Sequence, residues 1–167
     1  MSDNRRRFCA VRDALKEYFP GEPKGNTARR LNVLAALVSS IVGSRSSNLP
    51  HIAQKVPDEA KRESRVKRFS RFVANELVEV NTLFLPFSKQ LLQSLSHQTL
   101  VLIIDGSEVG RGCVMLMVSV VYKKRALPIA FIVVNGHKGH FPQSTHVELF
   151  ETVYDIIPQG SDVIVLG

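Results

Sequence analysis

Asp105 follows five apolar residues, Leu100-Val101-Leu102-Ile103-Ile104, and precedes Gly106. A carboxylate at the carboxyl end of a buried strand is held rigidly and faces a crevice. That placement suits a Mg²⁺ ligand, because a hard cation takes carboxylate oxygens and keeps several waters. The same residues also read as an Asp-Gly turn, a common hairpin signal. Upstream the residues offer a different chemistry. On a helix over residues 59–75, Lys61, Arg65, Lys67, Arg68 and Arg71 span an arc of about 160°, with Arg62 beside them. Val66, Phe69, Phe72 and Val73 span about 120° of the same helix. Such a ridge can neutralise phosphates, giving salt-dependent binding, or can be a solvated face. Glu63 and Glu76 are the acids expected near enough to pair with it.

Three further basic residues, Lys123, Lys124 and Arg125, sit between two apolar runs and read as a hairpin tip, either a DNA contact or a solubilising turn. His137, Lys138 and His140 share one loop. They lack a thiolate or a distant partner, so a zinc site is not expected there, and Lys138 is read as a DNA contact. Cys9 and Cys113 fit no metal spacing.

The elements that must position these groups divide the chain. Phe8, Val11, Leu15 and Tyr18 have helical spacing and are stopped by Pro20-Gly21. A second helix, capped by Asn26 or Thr27, carries Leu31, Leu34, Leu37, Val38 and Ile41 on one stripe and stops at Gly43. Asn48 caps a short helix with Pro50 near its start, and Asp58 caps the basic helix. Residues 76–96 continue with helical patterning, interrupted at Pro86.

At Thr99 the period changes. Residues 99–105, 113–122 and 127–135 are strand-like runs forming an antiparallel meander, with residues 106–112 as a loop. Thr145 and Glu148 form a capping box for a helix whose stripe is Val147, Phe150, Val153, Tyr154 and Ile157. A fourth strand ends the chain, so the order is β-β-β-α-β.

Charge follows the same division. Residues 1–99 hold 17 Lys+Arg against 9 Asp+Glu, and residues 100–167 hold 5 against 6. The net charge of +7 favours an anionic partner, nucleic acid first. No apolar run reaches the ~20 residues of a membrane helix, and no apolar stretch follows the basic start to make a secretory leader.

In one known architecture the meander's first strand lies beside a parallel fourth strand, and carboxylates at their ends hold two metal ions ~4 Å apart for phosphoryl transfer. This is the RNase H-like arrangement. The stretch Leu100–Gly167 resembles the DDE transposases of bacterial insertion sequences, of the IS-four type. The residues that carry the likeness are Ile103-Ile104-Asp105-Gly106-Ser107-Glu108-Val109-Gly110-Arg111-Gly112 and Gly136-His137-Lys138-Gly139-His140-Phe141. The segment Arg65-Val66-Lys67-Arg68-Phe69-Ser70-Arg71-Phe72 resembles the basic-aromatic helix those proteins carry ahead of the core.

The resemblance implies an α+β chain: a helical DNA-binding region over residues 1–98, then an incomplete RNase H-like core over 99–167. It implies cut-and-paste transposition by Mg²⁺-dependent cleavage and strand transfer at phosphodiesters, with two Mg²⁺ held by three acids. Asp105 would be the first acid and metal ligand. The second would follow the fourth strand, which here ends at Gly167, so the chain alone is expected to be catalytically incomplete. Glu108 has a weak claim as a ligand, and Asp155 and Asp162 have none. The implied partners are double-stranded DNA at the element ends and a second copy in a synaptic complex, with no membrane and no small-molecule substrate. The implied setting is a bacterial cytoplasm, associated with the nucleoid. The alternative is a non-catalytic DNA-binding or regulatory module derived from a transposase.

Overall fold

A computed structural model describes every residue except Met1, Pro20, Lys138 and His140. The chain is α+β, with helices first and a four-stranded mixed sheet after them. It forms two compact units, residues 1–83 and residues 84–167.

The first unit contains α1 (Asp3–Glu17), α2 (Gly25–Ser44), α3 (Leu49–Ala53), α4 (Arg62–Val73) and the single turn α5 (Val80–Leu83). Ser2 caps α1, its side chain accepting from the Arg5 backbone N–H at 3.4 Å. Asn48 caps α3 as expected, accepting from the His51 N–H, with Pro50 in the first turn.

Two expectations for α2 are corrected. It starts at Gly25, after Lys24, with no side-chain cap, and it runs past Gly43 to Ser44. Arg45 ends it in the left-handed conformation, φ 51°. Gly43 serves close approach instead: a Cβ there would overlap Nη1 of Arg7 on α1. The buried face is Leu31, Ala35, Ala36, Ser39 and Ser40. It uses small residues because neighbouring helices approach there closely, while Val38 and Ile41 of the expected stripe stay exposed. Ala36, Ile52, Val56 and Phe69 form the core, with Phe8, Val33, Leu37 and Leu49 packed around them.

The second unit contains α6 (Leu85–Leu95), β1 (Leu100–Gly110), β2 (Cys113–Tyr122), β3 (Arg125–Asn135), α7 (Gln143–Ile156) and β4 (Val163–Leu166). Pro86 lies in the first turn of α6 and so begins that helix rather than interrupting it. The sheet order is β3-β2-β1-β4, with β1, β2 and β3 antiparallel and β4 parallel to β1. The expected β-β-β-α-β order holds.

The loop expected over residues 106–112 is instead strand. β1 continues through Asp105, Gly106, Ser107 and Glu108, which pair with Met117, Leu116, Met115 and Val114. The turn is only Arg111-Gly112, at φ 54° and 71°. Lys123-Lys124 close the next hairpin at φ 45° and 64°. Both are two-residue turns with two left-handed residues, which suit the twist of the flanking strands.

Strand alternation gives the sheet two faces. Leu100, Leu102, Leu116, Val118 and Val120 are buried on one, together with Leu92 and Leu95 of α6 and Leu149, Val153 and Ile156 of α7. Thr145 is buried within the first turn of α7 and does not cap it. The buried stripe is rotated away from the expected one, leaving Val147 48% and Tyr154 80% exposed. All four residues of β4 are exposed. Among the described residues, no helix is long and apolar enough to cross a membrane.

Candidate nucleic-acid interface and carboxylate position

α4 buries Phe69 and Phe72 one turn apart and half-buries Val66, while Val73 stays exposed at the helix end. That burial fixes how the helix presents its cations. Arg65 and Arg68 lie beside the buried arc, and neither is left free. Arg65 Nε donates to Asp58 Oδ1 at 2.6 Å, and Arg68 Nη2 donates to Asp58 Oδ2 at 2.7 Å. Arg65 also donates to the carbonyl oxygens of Ala53, at 3.0 Å, and of Asp58. Asp58 accepts from the Ala60 N–H at 3.2 Å as well.

Asp58 therefore does not cap α4, whose N-cap is Lys61 without a side-chain bond. It clips the segment between α3 and α4 to the helix. Partial burial alone would push its carboxyl up, but the hydrogen bonds from Arg68 and Arg65 outweigh that and hold it below the ordinary carboxylate value.

The remaining cations of the expected ridge point elsewhere. Lys61, Lys67 and Arg71 are exposed and make no ion pair among the described residues. Arg62 is exposed and donates to the Pro50 carbonyl at 3.3 Å. Lys67 and Arg71, four residues apart, share one strip of the helix. The ridge read from the sequence thus resolves into two anchored arginines and a free Lys67–Arg71 pair. The acid that sequence reasoning did not pair with the ridge is Asp58, seven residues ahead of Arg65 but in the segment before α4, where helical periodicity does not apply.

Asp105 is exposed at the sixth of the eleven residues of β1. It is not the strand's last residue, and it is not a hairpin turn. Its position relative to β4 is more telling. The parallel ladder pairs Leu100 with Val163 and ends with Ile103 against Leu166. Asp105 stands two residues further along β1. Its side chain shares a face with Ile103, Ser107 and Met117, opposite the face packed by α6 and α7. Ser107 Oγ donates to Asp105 Oδ2 at 3.4 Å. Glu108 is three residues on, so alternation sends it to the other face.

Under Asp105 the backbone is tightly held. A Cβ on Gly106 would lie 2.6 Å from Phe141 Cε2. Phe141 meets His146 edge-on at 6.0 Å, and His146 Nδ1 lies 3.3 Å from the Pro142 carbonyl oxygen. Gly106 is glycine because an aromatic ring occupies the space a side chain would need.

Lys123, Lys124 and Arg125 are exposed at the β2–β3 tip, with Lys123 Nζ 5.1 Å from the Tyr122 ring centroid. Tyr122 is five residues beyond Met117, the partner of Asp105, so the tip lies roughly 17 Å along the sheet from the carboxylate. Asp162 precedes β4, at that strand's amino end, and its carbonyl accepts from the Leu100 N–H. His137 is exposed, and Lys138 and His140 lie outside the described residues.

Among the described residues, no three His, Cys, Asp or Glu side chains come together to hold a metal ion. Asp105 with Ser107 offers one carboxylate and one hydroxyl, which is not by itself the ligand set of a two-Mg²⁺ site. Comparisons of the chain with protein-family models, curated proteins and solved structures return no match.

Proposed function

We propose that these residues are the DNA-binding helices and the first half of the RNase H-like core of a DDE transposase, and that this chain grips duplex DNA without cutting it. The observation that carries the reading is the register at β1 and β4. A parallel fourth strand pairs with the first, and the exposed Asp105 stands two residues along β1 from Ile103, which pairs with Leu166. A carboxylate on the strand that a parallel fourth strand flanks is what a metal-assisted phosphoryl-transfer core requires of its first acid.

The DNA contacts follow from the first unit and the hairpin tip. Lys61, Arg62, Lys67 and Arg71 supply exposed positive charge on α4, and Lys123, Lys124 and Arg125 add a second basic point. These are phosphate contacts, which position DNA but do not read its sequence. Arg65 and Arg68 support the helix from beneath through Asp58. Lys138 belongs to the same proposal on sequence grounds alone.

Catalysis by the 167-residue chain is not part of the proposal, because one carboxylate cannot hold the pair of Mg²⁺ ions the chemistry requires. The test is incubation with supercoiled and linear duplex DNA in Mg²⁺ or Mn²⁺. Retarded but uncut DNA supports the reading. Cleavage lost in Asp105→Ala would overturn its non-catalytic part, and absence of retardation at low salt would overturn the DNA grip.

A further inference from the structure

We propose that the outer face of α7 is a docking surface for a basic amphipathic helix of a partner protein. The proposal stands apart from the DNA-binding reading, because it uses other residues and the opposite charge.

α7 turns Thr145, Leu149, Val153 and Ile156 inward. At about 100° per residue, the opposite side carries Phe150, Tyr154 and Val147 within an arc of about 60°. Tyr154 and Val147 are exposed and Phe150 is half-buried. Beside this apolar row run Glu151, Asp155 and Glu148, over a further arc of about 60°. All three acids are exposed, and none makes an ion pair among the described residues. α7 itself carries no Lys or Arg.

The row leads into a depression. Tyr154 and Asp155 also line a cavity of about 990 Å³ whose walls include Ile157, Val163 of β4 and Lys89 of α6. Lys89 makes no ion pair with Asp155. The apolar row and the acidic row therefore form one surface along the helix and past its carboxyl end.

The chemistry of that surface selects its occupant. Exposed acids repel DNA phosphates and anionic lipid headgroups alike, so neither nucleic acid nor an acidic membrane suits it. Apolar residues spaced three and four apart on an exposed helix are how a second helix lies along the first. A broad tyrosine in the middle of such a row is typical of the buried centre of an interface. The parallel row of acids asks for Lys or Arg beside the partner's own apolar row. Cations there would also relieve local repulsion. Glu151 and Asp155 are like charges four residues apart, and Asp155 lies in the last turn, where the helix end is already negative.

The test titrates the full chain into a labelled synthetic peptide, Lys61–Ala74 of the same sequence. That peptide sets Val66, Phe69 and Phe72 beside Lys and Arg. In the folded chain those phenylalanines are buried, so the free peptide is a probe of the chemistry and not a copy of a surface the protein presents. A scrambled peptide of equal composition keeps the charge and disperses the apolar row.

The wild type is expected to bind the ordered peptide at least tenfold more tightly than the scrambled one. Val147→Ser/Tyr154→Ser should raise Kd about tenfold with the melting temperature near wild type, because both side chains are exposed. Glu148→Gln/Glu151→Gln/Asp155→Asn should raise Kd by about tenfold near 0.1 M salt and remove most of its salt dependence. If the serine variant melts lower, the charge variant alone decides. Absence of peptide binding, equal binding of the two peptides, or a Kd unmoved by the decisive variants would overturn the proposal. Weaker duplex DNA binding by the serine variant would assign the face to DNA and overturn it. A dimer of the chain alone, seen by sedimentation equilibrium and dissolved by the same variant, would make the occupant a second copy and overturn it as well.

Discussion

Arg65 and Asp58 are joined at 2.6 Å, and the second oxygen of the same carboxylate takes Arg68 at 2.7 Å. One acid ahead of α4 therefore converts two cations of an evident basic ridge into structural anchors. Asp58→Asn is expected to cost about 1 kcal/mol, discounted because the pair is partly exposed. Urea denaturation measures it. The sign with pH follows from the depressed carboxyl. The contribution is complete above the ordinary value of 3.8 and is lost as pH falls below it through the folded-state value. The variant should therefore show a shallower loss of stability below about pH 4 than the wild type.

The free and the anchored cations of α4 should separate cleanly in two measurements. Lys67→Ala/Arg71→Ala is expected to weaken duplex binding and reduce the salt slope by about 2, with thermal stability near wild type. Arg65→Ala should lower thermal stability by about 1–3 kcal/mol, because it strips the Ala53 carbonyl and Asp58 of their donor. Equal effects of both variants on binding and stability would contradict the division.

Gly106 and Phe141 form a contact that substitution can exchange. Gly106→Ala pushes a methyl group into the ring and should cost about 1–3 kcal/mol. Adding Phe141→Leu vacates that space, so the double variant should lose less than the sum of the two single variants. Additive losses in denaturant titrations would mean the ring does not brace the Asp105 backbone.

Lys123 and Lys124 hold left-handed backbone that asparagine and glycine adopt more readily. Lys123→Asn/Lys124→Gly should stabilise the chain by roughly 1 kcal/mol, visible as a higher melting temperature. If the tip touches DNA, the same variant binds more weakly, so stability and binding move in opposite directions.

The parts of this fold that were legible in the sequence rest on short-range periodicity. Alternation and run length give the meander, the crossover helix and the fourth strand, and Asn48 with Pro50 announces α3. What periodicity cannot carry is which of two plausible faces meets a neighbour. On α2 the core kept Leu31 of the expected stripe but added alanine and serine and left Val38 and Ile41 outside, because close helix approach selects small residues. On α7 the core took Leu149, Val153 and Ile156, leaving Val147 and Tyr154 outside. Asp105-Gly106 shows the same limit at the candidate site. Locally it signals a turn, yet β2 supplies a ladder partner at every residue from Leu102 to Glu108, and the strand runs on. The ion pair at Asp58 spans a loop, so no local pattern announces it.

Whether the chain holds duplex DNA through its exposed cations is decided by one titration. Wild-type protein is added to labelled duplex DNA at salt concentrations from about 50 to 200 mM. The logarithm of the binding constant is expected to fall linearly with the logarithm of salt, with a slope of roughly −3 to −6 for the exposed basic residues named above. Absence of binding at the lowest salt, or binding indifferent to salt, would contradict it.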